Sequence, residues 1–205
     1  MRFVTAFTVC AIHFVFANLT AMDAESSSSN PSDAYQMHIC AFHIAKENPN
    51  VVIETQHYCS ALSDGIFQCL LYETTAQGKK PKLLGVEYVI SDEHYQKLSA
   101  NEKMLWHPHD YEVREGLLAL IDAPKKTDEE TMKLLVKTWG KTWHTWPDPT
   151  TEIPIGYPSL MWSAVKPGDV PQRMIQQRDQ RWGINTAELK KARAEYLPAP
   201  SVSDK

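Results

Sequence analysis

From about residue 36 onward, apolar and polar positions alternate in short runs rich in Val, Ile, Tyr, Phe and Cys. Four such runs predict strands over Gln36–Ala45, Val51–Ser60, Ile66–Glu73 and Leu83–Ile90. The first also fits helical spacing through Tyr35, Ile39, Phe42 and His43, so a helix is its alternative. Turn chemistry separates the runs, at Glu47 to Asn50, Ser63 to Gly65 and Gln77 to Pro81. Short connections between successive strands favour antiparallel pairing. Beyond Ile90 the period lengthens. Ser91 caps a short predicted helix through Leu98, and Asn101 restarts a turn. Leu117–Ile121 reads as a strand. Thr127 to Glu130 forms a capping box for a helix with the apolar stripe Met132, Leu135, Val136 and Trp139, closed by Gly140. Thr142–Trp146 and Ser159–Val165 are predicted strands around a Pro-rich loop, 147–158. Helices are expected from Pro171 to Trp182, stopped by Gly183, and from Asn185 to before Pro198. The fold class is α+β: a mainly antiparallel sheet with helices packed on it from the second half.

The chain has 205 residues. Arg2 followed by the apolar stretch Phe3 to Phe16 has the form of a signal peptide, 1–17, with cleavage open up to Ala21 and an uncleaved anchor as the rival reading. A polar Ser-rich leader, 18–33, a single domain, 34–198, and a tail, 199–205, complete the expected organisation. This segment carries the expectation of a secreted, extracellular protein. No later stretch is long and apolar enough to span a bilayer. The net charge of −4, without a basic stripe, excludes nucleic acid as a partner.

Hairpin register links two cysteines. A three-residue loop over Ser63, Asp64 and Gly65 sets Leu62 opposite Ile66 and Cys59 opposite Cys69, which predicts a disulfide between Cys59 and Cys69; a two-residue loop breaks that register.

The candidate chemistry lies in histidines. His107 and His109 flank Pro108 in the segment Leu105 to Val113. If that segment is extended, both rings point to one side and form half of a metal site. His57, His144 and His43, each set among β-type or aromatic residues, are the candidates to complete it. Glu87 is a possible carboxylate from another strand, and Glu112 requires a bulge to join. Imidazole-rich ligation suits one zinc, copper, nickel or iron ion. His38 and His94 read as ordinary polar residues. A nucleophile–base pair of Cys59 and His57 competes with the disulfide. Nucleophile elbow, P-loop, dinucleotide fingerprint and zinc-protease helix are all missing. Trp139, Trp143, Trp146 and Trp162 with Tyr157 read as core and loop packing, or as a carbohydrate- or lipid-facing platform.

The residues from Ala41 to Ala45, His57 to Cys59, Gln68 to Glu73 and Leu84 to Ser91 resemble the oil body-associated protein family. So do Leu105 to His109, Glu112 and Val113, Gly140 to His144, the stretch Pro154 to Met161, and Gln177 to Asp179. The resemblance runs from about Tyr35 to Tyr196. It implies no established enzymatic activity and a lipid- or envelope-surface role, with any lipid contact peripheral. The alternative is a metal-dependent enzyme, hydrolytic or oxidative, built on the His107 and His109 region.

Overall fold

A computed structural model of the chain describes residues 31–35, 37–74 and 80–199. The expected leader and signal segment, apart from residues 31–33, and most of the tail lie outside these residues. After a short 3-10 turn, Pro31–Ala34, come β1 (Met37–Ala45), β2 (Asn48–Ser63), β3 (Ile66–Glu73) and β4 (Leu83–Ser91). Helices α1 (Asp92–Gln96) and α2 (Ala100–Lys103) lead to β5 (His107–Pro108), α3 (Asp110–Arg114) and β6 (Ala119–Leu120). Helix α4 (Lys125–Leu135), β7 (Thr138–His144), β8 (Ser159–Trp162), α5 (Gln172–Trp182) and α6 (Thr186–Tyr196) follow.

Every strand pairing among the described residues is antiparallel. The order β1-β2-β3-β4-β7-β8 returns to β1, so six strands close into a barrel, with β6 added beside β1 and β5 beside β7. Closure removes the sheet edges that an open sheet of this length would expose. The α+β class expected from the sequence is the one observed.

Strand β1 explains its own ambiguity. Ile39, Ala41, His43 and Ala45 point into the barrel, while Phe42 and Ile44 point outward beneath Leu117, Ala164, Val170 and, from α5, Met174 and Ile175. A strand covered on both faces has no polar phase, so it reads as a continuous apolar run. Strand β7 shows the opposite behaviour: buried and half-buried residues alternate along its whole length.

Several expected boundaries are corrected. Helix α4 starts after Pro124, with no side-chain cap, and ends at Leu135. Thr127 therefore lies inside it, and Trp139 and Gly140 belong to β7. The backbone turns out of the helix at Val136 and Lys137, whose N–H groups bond back to Met132 and Leu134 carbonyls. Strand β7 thus begins four residues before the expected Thr142 and ends at His144; β8 stops at Trp162, short of Val165. The first hairpin turns at Lys46 and Glu47, ahead of Asn48. The second is a two-residue turn, Asp64-Gly65, with Ser63 opposite Ile66 and Gly65 at φ +67°. A bulge at Leu62 supplies the extra residue, so Cys59 still faces Cys69. The two are joined in a disulfide, and Cys40 is a free, buried thiol. With Cys59 bonded, the pair of Cys59 and His57 holds no nucleophile.

The segment Leu105 to Val113 is extended only at His107 and Pro108. From Asp110 it becomes α3. That helix is held from two sides by buried arginines. Arg193 of α6 donates to the carbonyls of Val113 (2.6 Å) and Leu118 (2.8 Å), and Arg178 of α5 to those of Gly116 (2.8 Å) and Leu117 (3.1 Å). Each guanidinium satisfies backbone carbonyls that burial has cut off from water.

Candidate metal centre

Five strands and one helix deliver the polar residues at the barrel's centre. On β2, His57 stands opposite Leu71 of β3, which faces Gly85 of β4, which faces His144 of β7. One pair further along the barrel, Cys69 faces Glu87, and Glu87 faces Thr142. His107 of β5 lies beside Gly140. These residues share an inward face because side chains alternate along each strand and register repeats across each ladder.

All five histidines singled out by the sequence are brought together, and each is at most 4% exposed. Glu87, itself 3% exposed, is their hub. Its Oε2 lies 3.1 Å from Nε2 of His57 and 4.0 Å from Nε2 of His43. Its Oε1 lies 3.3 Å from Nε2 of His107 and 3.5 Å from Nε2 of His109. Glu112 joins without a bulge: α3 places it three residues after His109, on one side of the helix, with Oε1 3.9 Å from His109 Nε2. His144 stands behind, its Nε2 2.9 Å from His43 Nδ1.

The far nitrogens fix ring orientation. Nδ1 of His57 donates to the Thr55 carbonyl at 3.2 Å. Nδ1 of His109 donates to the Thr138 hydroxyl at 2.8 Å, since that hydroxyl spends its own proton on the Leu135 carbonyl. In a neutral imidazole the other nitrogen then carries a lone pair. Both lone pairs face an ionised carboxylate, an arrangement that a cation between them relieves, whether added protons or a metal. Outer hydrogen bonds of this kind are those that orient metal-ligating histidines.

Charge states fit ligation. Burial pushes the Glu87 carboxyl up, but the close contacts with His107, His109 and His57 outweigh it and hold the group well below the usual carboxylate range. Burial, with the neighbouring His57 and His144, holds His43 well below the usual imidazole value, and burial lowers His107. His144 is lowered by burial to about 3. Burial and the charge of Glu87 drive Glu112 well above the carboxylate range, against Arg193. At neutral pH the cluster thus offers neutral imidazoles at His43, His107 and His144, one carboxylate and one carboxylic acid.

The ligand atoms of His43, His57 and Glu87 lie within 4.8 Å of one another, as do those of Glu87, His107 and His109. Beside them opens a small cavity of about 30 Å³, lined by Ile39, Phe67, Val89, Leu118 and Leu134 among others, with His43, His57, Glu87, His109 and Glu112 in its wall.

Three participants were not found from the sequence. Thr142 donates to Glu87 Oε1 at 2.9 Å, Thr138 orients His109, and Gly140 leaves the space that the cluster fills. Their common signal is period-two spacing from Thr138 to His144, hidden by the reading of Gly140 as a helix stop. The tryptophans form no joint platform. Trp139 stacks on Tyr95 at 3.6 Å, Trp146 donates to Thr151 at 3.0 Å, and Trp162 lies under the Lys46 ammonium. Tyr157, by contrast, is 94% exposed beside exposed Ile153 and Ile155.

Residues 29–197 match the family profile described as "Protein of unknown function (DUF1264)". Oil body-associated protein 2A of Arabidopsis thaliana is 34% identical over 173 residues, covering 83% of this chain and 69% of the relative. Oil body-associated protein 1B of the same plant is 32% identical over 184 residues, covering 89% and 75%. Oil body-associated protein 2A of Zea mays is 33% identical over 181 residues, covering 87% and 71%. No solved structure is a significant match. These relatives are named for oil bodies, which lie inside cells, and that corrects the expectation of an extracellular protein drawn from the N-terminal segment. A match over nearly the whole described chain, at this identity and with this coverage, places it: the chain belongs to the oil body-associated protein family.

Proposed function

We propose that this chain is a peripheral lipid-surface protein whose barrel holds a transition-metal ion, of zinc, copper, nickel or iron, on Glu87 and the histidines around it. One observation carries the metal reading: Nε2 atoms of His57, His107 and His109 stand 3.1, 3.3 and 3.5 Å from the two oxygens of a single buried carboxylate. Two of those rings are locked from behind with their lone pairs forward. Four imidazoles converging on one ionised carboxylate serve no packing purpose, because a buried polar cluster without its counter-charge costs stability.

The lipid reading rests on the names of the relatives and on one surface feature. No helix among the described residues is long and apolar enough to cross a membrane. The loop before β8 presents Ile153, Ile155 and Tyr157 to solvent, 62%, 55% and 94% exposed. Such side chains enter the outer layer of a lipid surface without spanning it. The second reading, a metal-dependent hydrolase or oxidase, rests on the small apolar cavity whose wall includes the cluster and which has room for a water-sized molecule beside it.

The test is metal analysis of the full chain purified without a histidine tag from metal-replete medium. At least one ion per chain is expected, lost on Glu87→Ala; metal-free wild type refutes the metal reading. Flotation with triacylglycerol emulsions tests the lipid reading, with Ile153→Ser/Ile155→Ser/Tyr157→Ser expected to stay in the aqueous layer.

A further inference from the structure

We propose that the barrel centre is a two-metal site, with Glu87 bridging the ions through its two oxygens. The inference rests on the metal reading above and adds the number of ions and the role of the bridge. The four imidazoles divide between the two oxygens. His43 and His57 stand against Oε2, at 4.0 and 3.1 Å, and His107 and His109 against Oε1, at 3.3 and 3.5 Å. The two rings of the first pair are 3.0 Å apart at Nε2. Four-coordinate ions with bonds of about 2.0–2.1 Å put neighbouring ligand atoms roughly 3.3 Å apart. The edges of the first set, 3.0, 3.1 and 4.0 Å, and the two carboxylate edges of the second, 3.3 and 3.5 Å, bracket that length.

The donors outnumber what one tetrahedral ion uses. Four imidazoles and Glu87 offer more ligands than the four such an ion takes, before Glu112 is considered. Glu112 lies on the His109 side, 3.9 Å from that ring's Nε2, and completes the second set on losing its proton to make way for an ion. His144 supports the first set through its contact with His43. The Thr142 hydroxyl donates to Oε1 at 2.9 Å, using one of that oxygen's two lone pairs and leaving the other for an ion.

Gly140 makes room for the second set. A Cβ there would stand 2.2 Å from Glu87 Oε1, 2.6 Å from His107 Nε2 and 2.7 Å from His109 Nε2. The three atoms crowd around this one backbone position, where any side chain would break them apart. Two ions bridged by a carboxylate stand about 3.5–4 Å apart, close enough to share a bound oxygen atom of water or ligand.

The full chain saturated with zinc and then desalted is expected to hold about two ions. His43→Ala/His57→Ala and His107→Ala/His109→Ala are each expected to hold about one. Loaded with copper(II), the wild type is expected to give a spin-coupled electron paramagnetic resonance spectrum with a half-field transition, and each double variant an uncoupled one. The wild-type measurements decide without the variants, should either fail to fold. A single zinc ion per wild-type chain, with an uncoupled copper spectrum, overturns the bridge and leaves the metal reading standing. Zero ions overturns both.

Discussion

Gly140 on β7 lies against Glu87 on β4 so closely that a methyl group on the glycine would meet the carboxylate oxygen at 2.2 Å. Strand β7 therefore runs directly beneath the polar cluster. Gly140→Ala is expected to push Glu87, His107 and His109 apart. Overpacking of this kind costs about 1–3 kcal/mol. Urea unfolding of the metal-free protein should show the loss, and zinc content should fall with it. Unchanged stability and zinc content would mean that the barrel yields at this point.

Thr138 relays order from the end of α4 to His109, through its bonds to the Leu135 carbonyl and to Nδ1 of the ring. Removing an outer partner of a ligating histidine typically weakens metal binding about 10- to 100-fold. Thr138→Val is expected to do so with the fold retained, read by calorimetric zinc titration beside circular dichroism. Thr138→Ser, which keeps the hydroxyl, should recover most of the affinity.

Acid should unfold the metal-free protein through its buried imidazoles. His144 has its folded value lowered to about 3, and that of His43 also lies well below the ordinary 6.5. A group whose folded pKa is depressed stabilises the fold above its unfolded value and loses that contribution as pH falls toward the folded one. Stability from His144 is thus complete above pH 6.5 and drains away between 6.5 and about 3. Denaturant midpoints across that range should fall, and His144→Gln should flatten the slope. An identical slope in the variant would assign the acid sensitivity elsewhere.

Cys40 behaves in the opposite sense. Burial, with Glu54 nearby, pushes its thiol up to about 12, and Sγ accepts a hydrogen bond from Gln56 at 3.3 Å. Its contribution to stability is present below the ordinary value of 9.0 and is lost as pH rises toward about 12. At pH 8 iodoacetamide should leave Cys40 unlabelled in native protein and label it in guanidinium, whereas Cys59 and Cys69 should label only after reduction. Peptide mapping by mass spectrometry separates these outcomes, since thiolate, not thiol, is the nucleophile.

Arg193 reaches from α6 to two carbonyls flanking the end of α3. Arg193→Met keeps the stem and removes the donors. Leaving buried carbonyls unpaired costs about 1–3 kcal/mol each. A fall in the thermal midpoint is expected, together with weaker zinc binding, because α3 carries Glu112 and its first turn follows His109.

The strands of the first half were legible because alternation and turn residues are local, and so was the cysteine pair, which depends only on register within one hairpin. The hairpin reached that register by a two-residue turn and a bulge, a combination that side-chain types alone do not select. Helix α4 was legible in its stripe of Met132 and Leu135. Its end was not, because glycine serves equally as a helix stop and as a gap in a strand, and only a neighbour such as Glu87 tells the two apart.

By itself the sequence determined which residue types stand on which strands: His43, His57, Glu87 and His144 at positions whose alternation turns them to one face. The closure of β1 against both β2 and β8 decided the rest. Alternation sets the face of a side chain within its own strand, but distance between residues as far apart as His43 and His144 depends on the register and curvature of every strand between them. Only a closed barrel, whose inner faces converge on one axis, turns a shared face into a shared point.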